Sequence, residues 1–155
     1  MHAVFPPAGS ANRREGSSDR ATWHPDRVTI VLVDAANVVG ARPDGWWRDR
    51  AGATTRLLDR LASLPGRSLA SRDGSAVVCT EVVAVVEGQA REVAAPEGVR
   101  LVRAAGSGDD AVVAEAVRLA SAGILVVTAD RGLRARLPAE VAVTGPVTLL
   151  TALPD

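Results

Sequence analysis

From residue 26 onward the chain alternates short, nearly unbroken apolar runs with segments whose apolar residues recur every three or four positions. Runs of the first kind suit strands buried on both faces; the second pattern suits helices with one buried face. A first strand is predicted over 27–34, apolar throughout Ile30-Val31-Leu32-Val33 and charged only at its end, in Asp34. A helix is predicted over 50–63, because Ala53, Leu57, Leu58, Leu61 and Leu64 share a face and Pro65-Gly66 stops the run. Residues 67–75 read as a loop with a turn at Asp73-Gly74. Ala76 to Val86 reads as a second strand, long enough to split at Glu81, and Val99 to Arg103 as a third. The spacing predicts a helix over 109–122, with Val112, Val113, Ala116, Val117 and Ala120 on one face. Its first turn carries Asp109 and Asp110, where acids favour the helix dipole, and Gly123 ends it. Ile124 to Thr128 is the fourth strand, 131–137 a short basic helix stopped by Pro138, and Val141 to Val143 the fifth strand. Pro146 to Leu150 reads as a closing turn or short edge segment.

Strands that alternate with helices predict a three-layer α/β fold, a central, mostly parallel sheet of four to five strands between helices. At 155 residues this is one domain, assigned to 26–155. Residues 1–25, rich in Gly, Ser, Pro and Arg without a period, are expected to be a disordered leader.

Charge changes the picture little: 18 basic residues balance 18 acidic ones. Coating nucleic acid by bulk charge needs a basic surface, so that function class is disfavoured. Every basic residue is Arg, the better fork for phosphate, although an Arg-favouring codon bias explains that equally well. The single cysteine, Cys79, excludes an internal disulfide and a cysteine-rich zinc site. Both histidines, His2 and His24, lie in the leader, so no His-based triad or His metal site belongs to the folded part. Any metal is then held by carboxylates, which points to Mg²⁺ or Mn²⁺. No apolar run is long enough for a transmembrane helix and no signal-peptide core is evident, so a cytoplasmic location is expected.

In open parallel sheets, ligands bind beyond the C-terminal strand ends. The first strand ends in Asp34, with Asn37 just after it; the second ends in Glu87; the loop after the third leads into Asp109 and Asp110; the fourth ends in Asp130. Such acids, gathered on one edge, repel unless a cation neutralises them. A divalent cation there activates water and stabilises the charge that builds on a phosphate during in-line attack. Each acid taken alone also reads as a helix cap; Asn37 reads either as a turn former or as a catalytic-site residue that holds a metal-bound water or the Asp34 carboxylate.

These residues carry a resemblance. Val31-Leu32-Val33-Asp34-Ala35-Ala36-Asn37-Val38 resembles the opening D-x-x-N motif of the NYN branch of PIN-like nucleases. Gly106-Ser107-Gly108-Asp109-Asp110-Ala111 resembles the middle motif, in which acids open a helix, and Val126-Val127-Thr128-Ala129-Asp130-Arg131 the T-x-D motif. Val85-Val86-Glu87-Gly88 is similar to the strand that ends in an acid and a glycine, with Glu where Asp is common. The resemblance spans roughly 27–145 and implies a PIN-like, Rossmann-like fold, a metal-dependent ribonuclease activity, and metal-binding acids at Asp34, Asp109 or Asp110, and Asp130, with Glu87 reaching a metal through water.

The segment after the first strand, Val38 to Arg50, reads as a loop and holds Trp46, Trp47, Arg48 and Arg50. Rings that stack on bases beside guanidinium groups that hold phosphate suit a nucleotide. Packing of the tryptophans against the sheet is the alternative, and one Trp inward with one outward satisfies both. Arg131, Arg134 and Arg136 form a smaller basic set flanking Asp130, with a plain solvated face as the alternative. The expected partner is RNA or a nucleotide, not a membrane; the sequence leaves a homodimer open. Two other functions compete with the ribonuclease. One is a nucleoside triphosphate pyrophosphohydrolase using the same acids, to which the Trp-Trp-Arg-Asp-Arg segment is similar although the Nudix signature is absent; the other is a non-catalytic nucleotide- or RNA-binding module.

Overall fold

The computed structural model describes residues 29–154; the leader expected over 1–25 lies outside them. Five strands make one wholly parallel sheet: β1 (Ile30–Asp34), β4 (Glu81–Val86), β5 (Val99–Arg103), β6 (Ile124–Val127) and β7 (Ala142–Thr144), in the spatial order β5-β4-β1-β6-β7. β1 is central, paired to β4 on one side and β6 on the other, and every residue in it is buried. That is why its sequence is almost unbroken in apolar residues: neither face meets water.

Alternate residues of β1 serve opposite faces. Val31 and Val33 pack with Leu57, Leu58 and Leu61 of α2 (Arg50–Leu61), Val38 and Val39 of α1 (Ala35–Gly40) and Leu149 of α5 (Pro146–Ala152). Ile30 and Leu32 pack with Val112, Ala116 and Leu119 of α3 (Gly108–Leu119) and Leu133 of α4 (Arg131–Arg136). The result is helix, sheet, helix. Each fully buried Leu or Val in these layers contributes about 1.5–3 kcal/mol of transfer free energy. Among the described residues no helix is long and apolar enough to cross a membrane.

Four expectations from the sequence are corrected. The segment after β1 is not all loop, because Asp34 caps α1 immediately. Residues 67–75 are not all loop either: β2 (Ser68–Ala70) and β3 (Ala76–Val78) form an antiparallel hairpin around the Asp73-Gly74 turn. Its tip reaches the β7 edge through Arg72 N–H on the Val143 carbonyl, and its Ala70 carbonyl accepts from the Thr144 hydroxyl. The closing segment is a helix, α5, started by Pro146, whose fixed φ and missing N–H suit a first helical turn. Finally, Val117 is 59% exposed. It lies about 140° around the helix from Val112 at ~100° per residue, so it misses the face set by Val112, Ala116 and Leu119.

Candidate active site

The chain leaves β1 toward one face, into α1 and α2, and leaves β6 toward the other, into α4. Diverging connections from neighbouring strands open a crevice at their C-terminal ends, the position where open α/β sheets bind ligands. Asp34 sits in it, 3% exposed. One carboxylate oxygen accepts from the Asn37 backbone N–H at 3.4 Å, the other from the Thr128 hydroxyl at 3.2 Å. The Asn37 side chain bridges the crevice, its amide oxygen accepting from Ala129 N–H at 2.8 Å. Thr128 also accepts from Asp130 N–H at 3.2 Å, and Asp130 caps α4 by accepting from Leu133 N–H at 3.0 Å. Asp34, Asn37, Thr128 and Asp130 are thus one hydrogen-bonded unit across two strands.

Glu87 and Asp109 close the other side. Glu87 accepts from Gly108 N–H at 2.9 Å, which fixes the carboxylate against the start of α3. A Cβ at Gly108 would meet that carboxylate, so a larger residue there requires Glu87 to move. Burial pushes the Asp34 carboxyl up to about 6; the Asn37 and Thr128 hydrogen bonds oppose this, and the Asp109 and Glu87 charges add to it. The Asp109 carboxyl is raised as well, first by desolvation and then by Asp130 and Glu87, with Arg136 opposing. Asp34, Glu87, Asp109 and Asp130 therefore feel one another's charge. Among the described residues, however, no three acids, histidines or cysteines converge as a ready-made ligand set.

Asp110 differs from its neighbour. Its carboxylate pairs with Arg136 of α4 at 2.7 Å and is 71% exposed, on the rim. Arg131 is exposed and makes no ion pair among the described residues.

The two tryptophans part company. They lie in a 3₁₀ turn, Trp46–Arg48, entered through Gly45 at a φ of 80°, which favours glycine. Trp46 is half-buried and packs against the core, with Arg50 5.2 Å from its ring centre. Trp47 is 55% exposed, edge-on to Trp46, with Arg48 5.5 Å from its ring. Beside them a cleft of about 230 Å³ runs from Ala35, next to Asp34, past Trp46 and Arg50 to Glu87 and Gly88.

Sequence reasoning overlooked Thr128 as a partner of Asp34. Its signal was a polar residue ending the apolar run of β6, in register with the end of β1. It also set Arg136 aside as a plain member of a basic set, because nothing local announces a partner 26 residues away.

The five-stranded parallel sheet between helices, with its crevice at the C-terminal strand ends, is a Rossmann-like α/β architecture, consistent with a PIN-like fold. No family model matches the chain, and no curated protein matches it. Among solved structures it is similar to a mutant form of Rae1 (YacP) from Bacillus subtilis, with a TM-score of 0.55 and 20% identity, over 79% of this chain and 72% of that one. At that identity the likeness is one of fold.

Proposed function

We propose that the chain is a ribonuclease that uses a divalent cation held by carboxylates at the crevice between β1 and β6. The observation that carries this is Asp34: a carboxylate buried at the centre of the sheet edge, with Glu87 and Asp109 close enough to raise its pKa further. The donor set fits Mg²⁺ or Mn²⁺. It is all hard oxygen, and Mg²⁺ binds through one or two carboxylates while keeping several waters, so it needs no preformed cage. Asp34 and Asp109 are the direct ligands on this reading, with Glu87 and Asp130 acting through water. When bound, the cation supplies an activated water and neutralises charge on the phosphate.

The chain's own residues do the rest. Asn37 holds the loop after β6 against α1, which fixes the separation between Asp34 and Asp130. Thr128 orients the Asp34 carboxylate. Arg48, Arg50 and Arg131 offer guanidinium groups to the backbone phosphates, and Trp47 an exposed ring on which a base can stack. A second reading, hydrolysis of free nucleotides by the same acids, is favoured by the cleft next to Glu87. A binding module without catalysis has no use for four mutually repelling carboxylates.

The test is a short single-stranded RNA and a set of nucleoside triphosphates incubated side by side with Mn²⁺, Mg²⁺ or EDTA. Cleavage of the RNA with either cation, none in EDTA, and none by Asp34→Asn is the expected result. Turnover of triphosphates with intact RNA selects the second reading, and cleavage that persists in EDTA refutes both.

A further inference from the structure

The cleft beside the acids contains a feature that the hydrolytic chemistry does not use. Thr54, in the second turn of α2, is 3% exposed and lines this cleft. A buried threonine in a helix commonly returns its hydroxyl to the carbonyl four residues earlier. Here the Thr54 hydroxyl has no hydrogen-bond partner among the described residues. Buried polar groups are nearly always satisfied, so an unsatisfied hydroxyl on a residue that lines a cavity marks a place where a ligand or a water completes it.

The rest of the cleft says which ligand. Ala35, Ala36, Val39 and Ala90 make its walls apolar, and Trp46 makes one of them aromatic. At about 230 Å³ it is below the ~300–1,000 Å³ of sites that enclose drug-sized ligands, a fit for one planar ring system. Arg50 lines it too, with its guanidinium over the Trp46 ring, a positive charge suited to a phosphate. Glu87 belongs both to the cleft and to the acid group, so an occupant lies beside the reacting phosphate.

We propose that this cleft receives the base of the nucleotide adjoining the attacked phosphate, with Trp46 as its wall and the Thr54 hydroxyl reading its edge. The inference rests on the proposed hydrolysis of a nucleotide phosphoester, and it makes the enzyme selective for the base at one position. Both RNA and a free nucleotide present such a base, and the assay separates them.

The experiment follows the backbone amides and tryptophan indoles of the full chain by NMR in EDTA, where no cleavage interferes. The probes are the four nucleoside 5′-monophosphates, with ribose 5-phosphate as the control without a base. The expected result is that the Trp46 indole and the Thr54 amide shift with monophosphates and not with ribose 5-phosphate, with unequal affinity for the four bases. Thr54→Val keeps the shape of the side chain, and in it the preference shrinks about three- to tenfold, the worth of one neutral hydrogen bond. Thr54→Ser restores the preference. Equal shifts with ribose 5-phosphate, shifts confined to α3 and α4, or a preference unchanged in Thr54→Val overturn the proposal. A trinucleotide that binds more tightly than every monophosphate, and loses this when one position is abasic, assigns the base to RNA; equal affinities assign it to a free nucleotide. Cation-dependent cleavage is scored separately through Asp34→Asn, so failure of the hydrolytic reading and failure of the base site give different results.

Discussion

Replacing Asp34 with Asn removes a charge that the fold disfavours. Burial pushes the Asp34 carboxyl from an ordinary 3.8 up to about 6, even though Asn37 N–H and the Thr128 hydroxyl both hydrogen-bond to it. Between those two values the folded chain keeps a proton that the unfolded chain has released. The stabilisation from the protonated carboxyl is therefore complete below pH 3.8 and is lost as pH rises through about 6. The gap corresponds to about 3 kcal/mol. An amide never ionises, so Asp34→Asn escapes that loss, and the hydrogen bonds from Asn37 and Thr128 are already contained in the raised value. The gain at pH 8 is therefore about 2–3 kcal/mol, a melting temperature higher by roughly 4–12 °C for a domain of this size. The assay is thermal unfolding of both chains in EDTA from pH 4 to pH 8. The curves should meet at pH 4 and separate above pH 6, while the variant fails to cleave RNA with Mn²⁺. Added Mn²⁺ should raise the melting temperature of the parent chain and not of the variant, because a ligand stabilises only the state that binds it. A variant that melts several degrees below the parent at pH 8 refutes the reasoning, since the Asp34 charge would then hold the fold together.

Three further outcomes follow from the same geometry. Gly108→Ala should destabilise by about 1–3 kcal/mol through overpacking against Glu87, and adding Glu87→Ala should recover most of it; denaturant unfolding of the double-mutant cycle checks the coupling. Asp109→Asn should abolish cation-dependent cleavage, whereas Asp110→Asn should keep it and cost under ~1 kcal/mol of stability, because its partner is an exposed arginine; equal losses of cleavage would refute the division of roles. Trp47→Ala should leave stability within about 0.5 kcal/mol and weaken RNA binding by roughly 1–3 kcal/mol, whereas Trp46→Ala should also lower stability; unfolding and RNA affinity measured on both variants separate these effects.

The strands that build the crevice were legible because burial on both faces writes itself as a nearly unbroken apolar run, as in Ile30 to Val33 and Ile124 to Val127. The long run from Ala76 to Val86 even showed its break: β3 ends at Val78, and β4 opens on the exposed Glu81. What stayed hidden was short. α1 is six residues with two valines and a terminal glycine, too brief for a period, and it starts at the Asp34 cap. β2 contributes one buried side chain, Leu69, so no alternation could announce it. α5 is rich in β-branched residues and begins with proline, which reads as extended until the following turn closes. At the site, positions at strand ends placed Asp34, Glu87, Asp109 and Asp130 on one edge. The different settings of Asp109 and Asp110 were beyond sequence, because Arg136, which pairs with Asp110, lies on the next helix, 26 residues further along the chain.

Capping does not explain the charge at position 34. Asp34 caps α1, but Asn or Ser caps a helix about as well, and neither carries a charge into the interior. The two hydrogen bonds that Asp34 receives favour its ionised form and still fail to offset its burial, since its carboxyl remains raised to about 6. Glu87 and Asp109 add repulsion that a fold selected for stability alone would avoid, and Arg136, the nearby cation, is hydrogen-bonded to Asp110 at the rim. A buried, doubly hydrogen-bonded carboxylate facing further acids at a sheet's C-terminal edge is thus a local loss of stability, and losses of this kind concentrate at functional sites. On the proposed reading a divalent cation supplies the missing positive charge. The same cation that makes the site reactive would then stabilise the chain, and the pH dependence of unfolding seen in EDTA would vanish once Mn²⁺ saturates the parent chain.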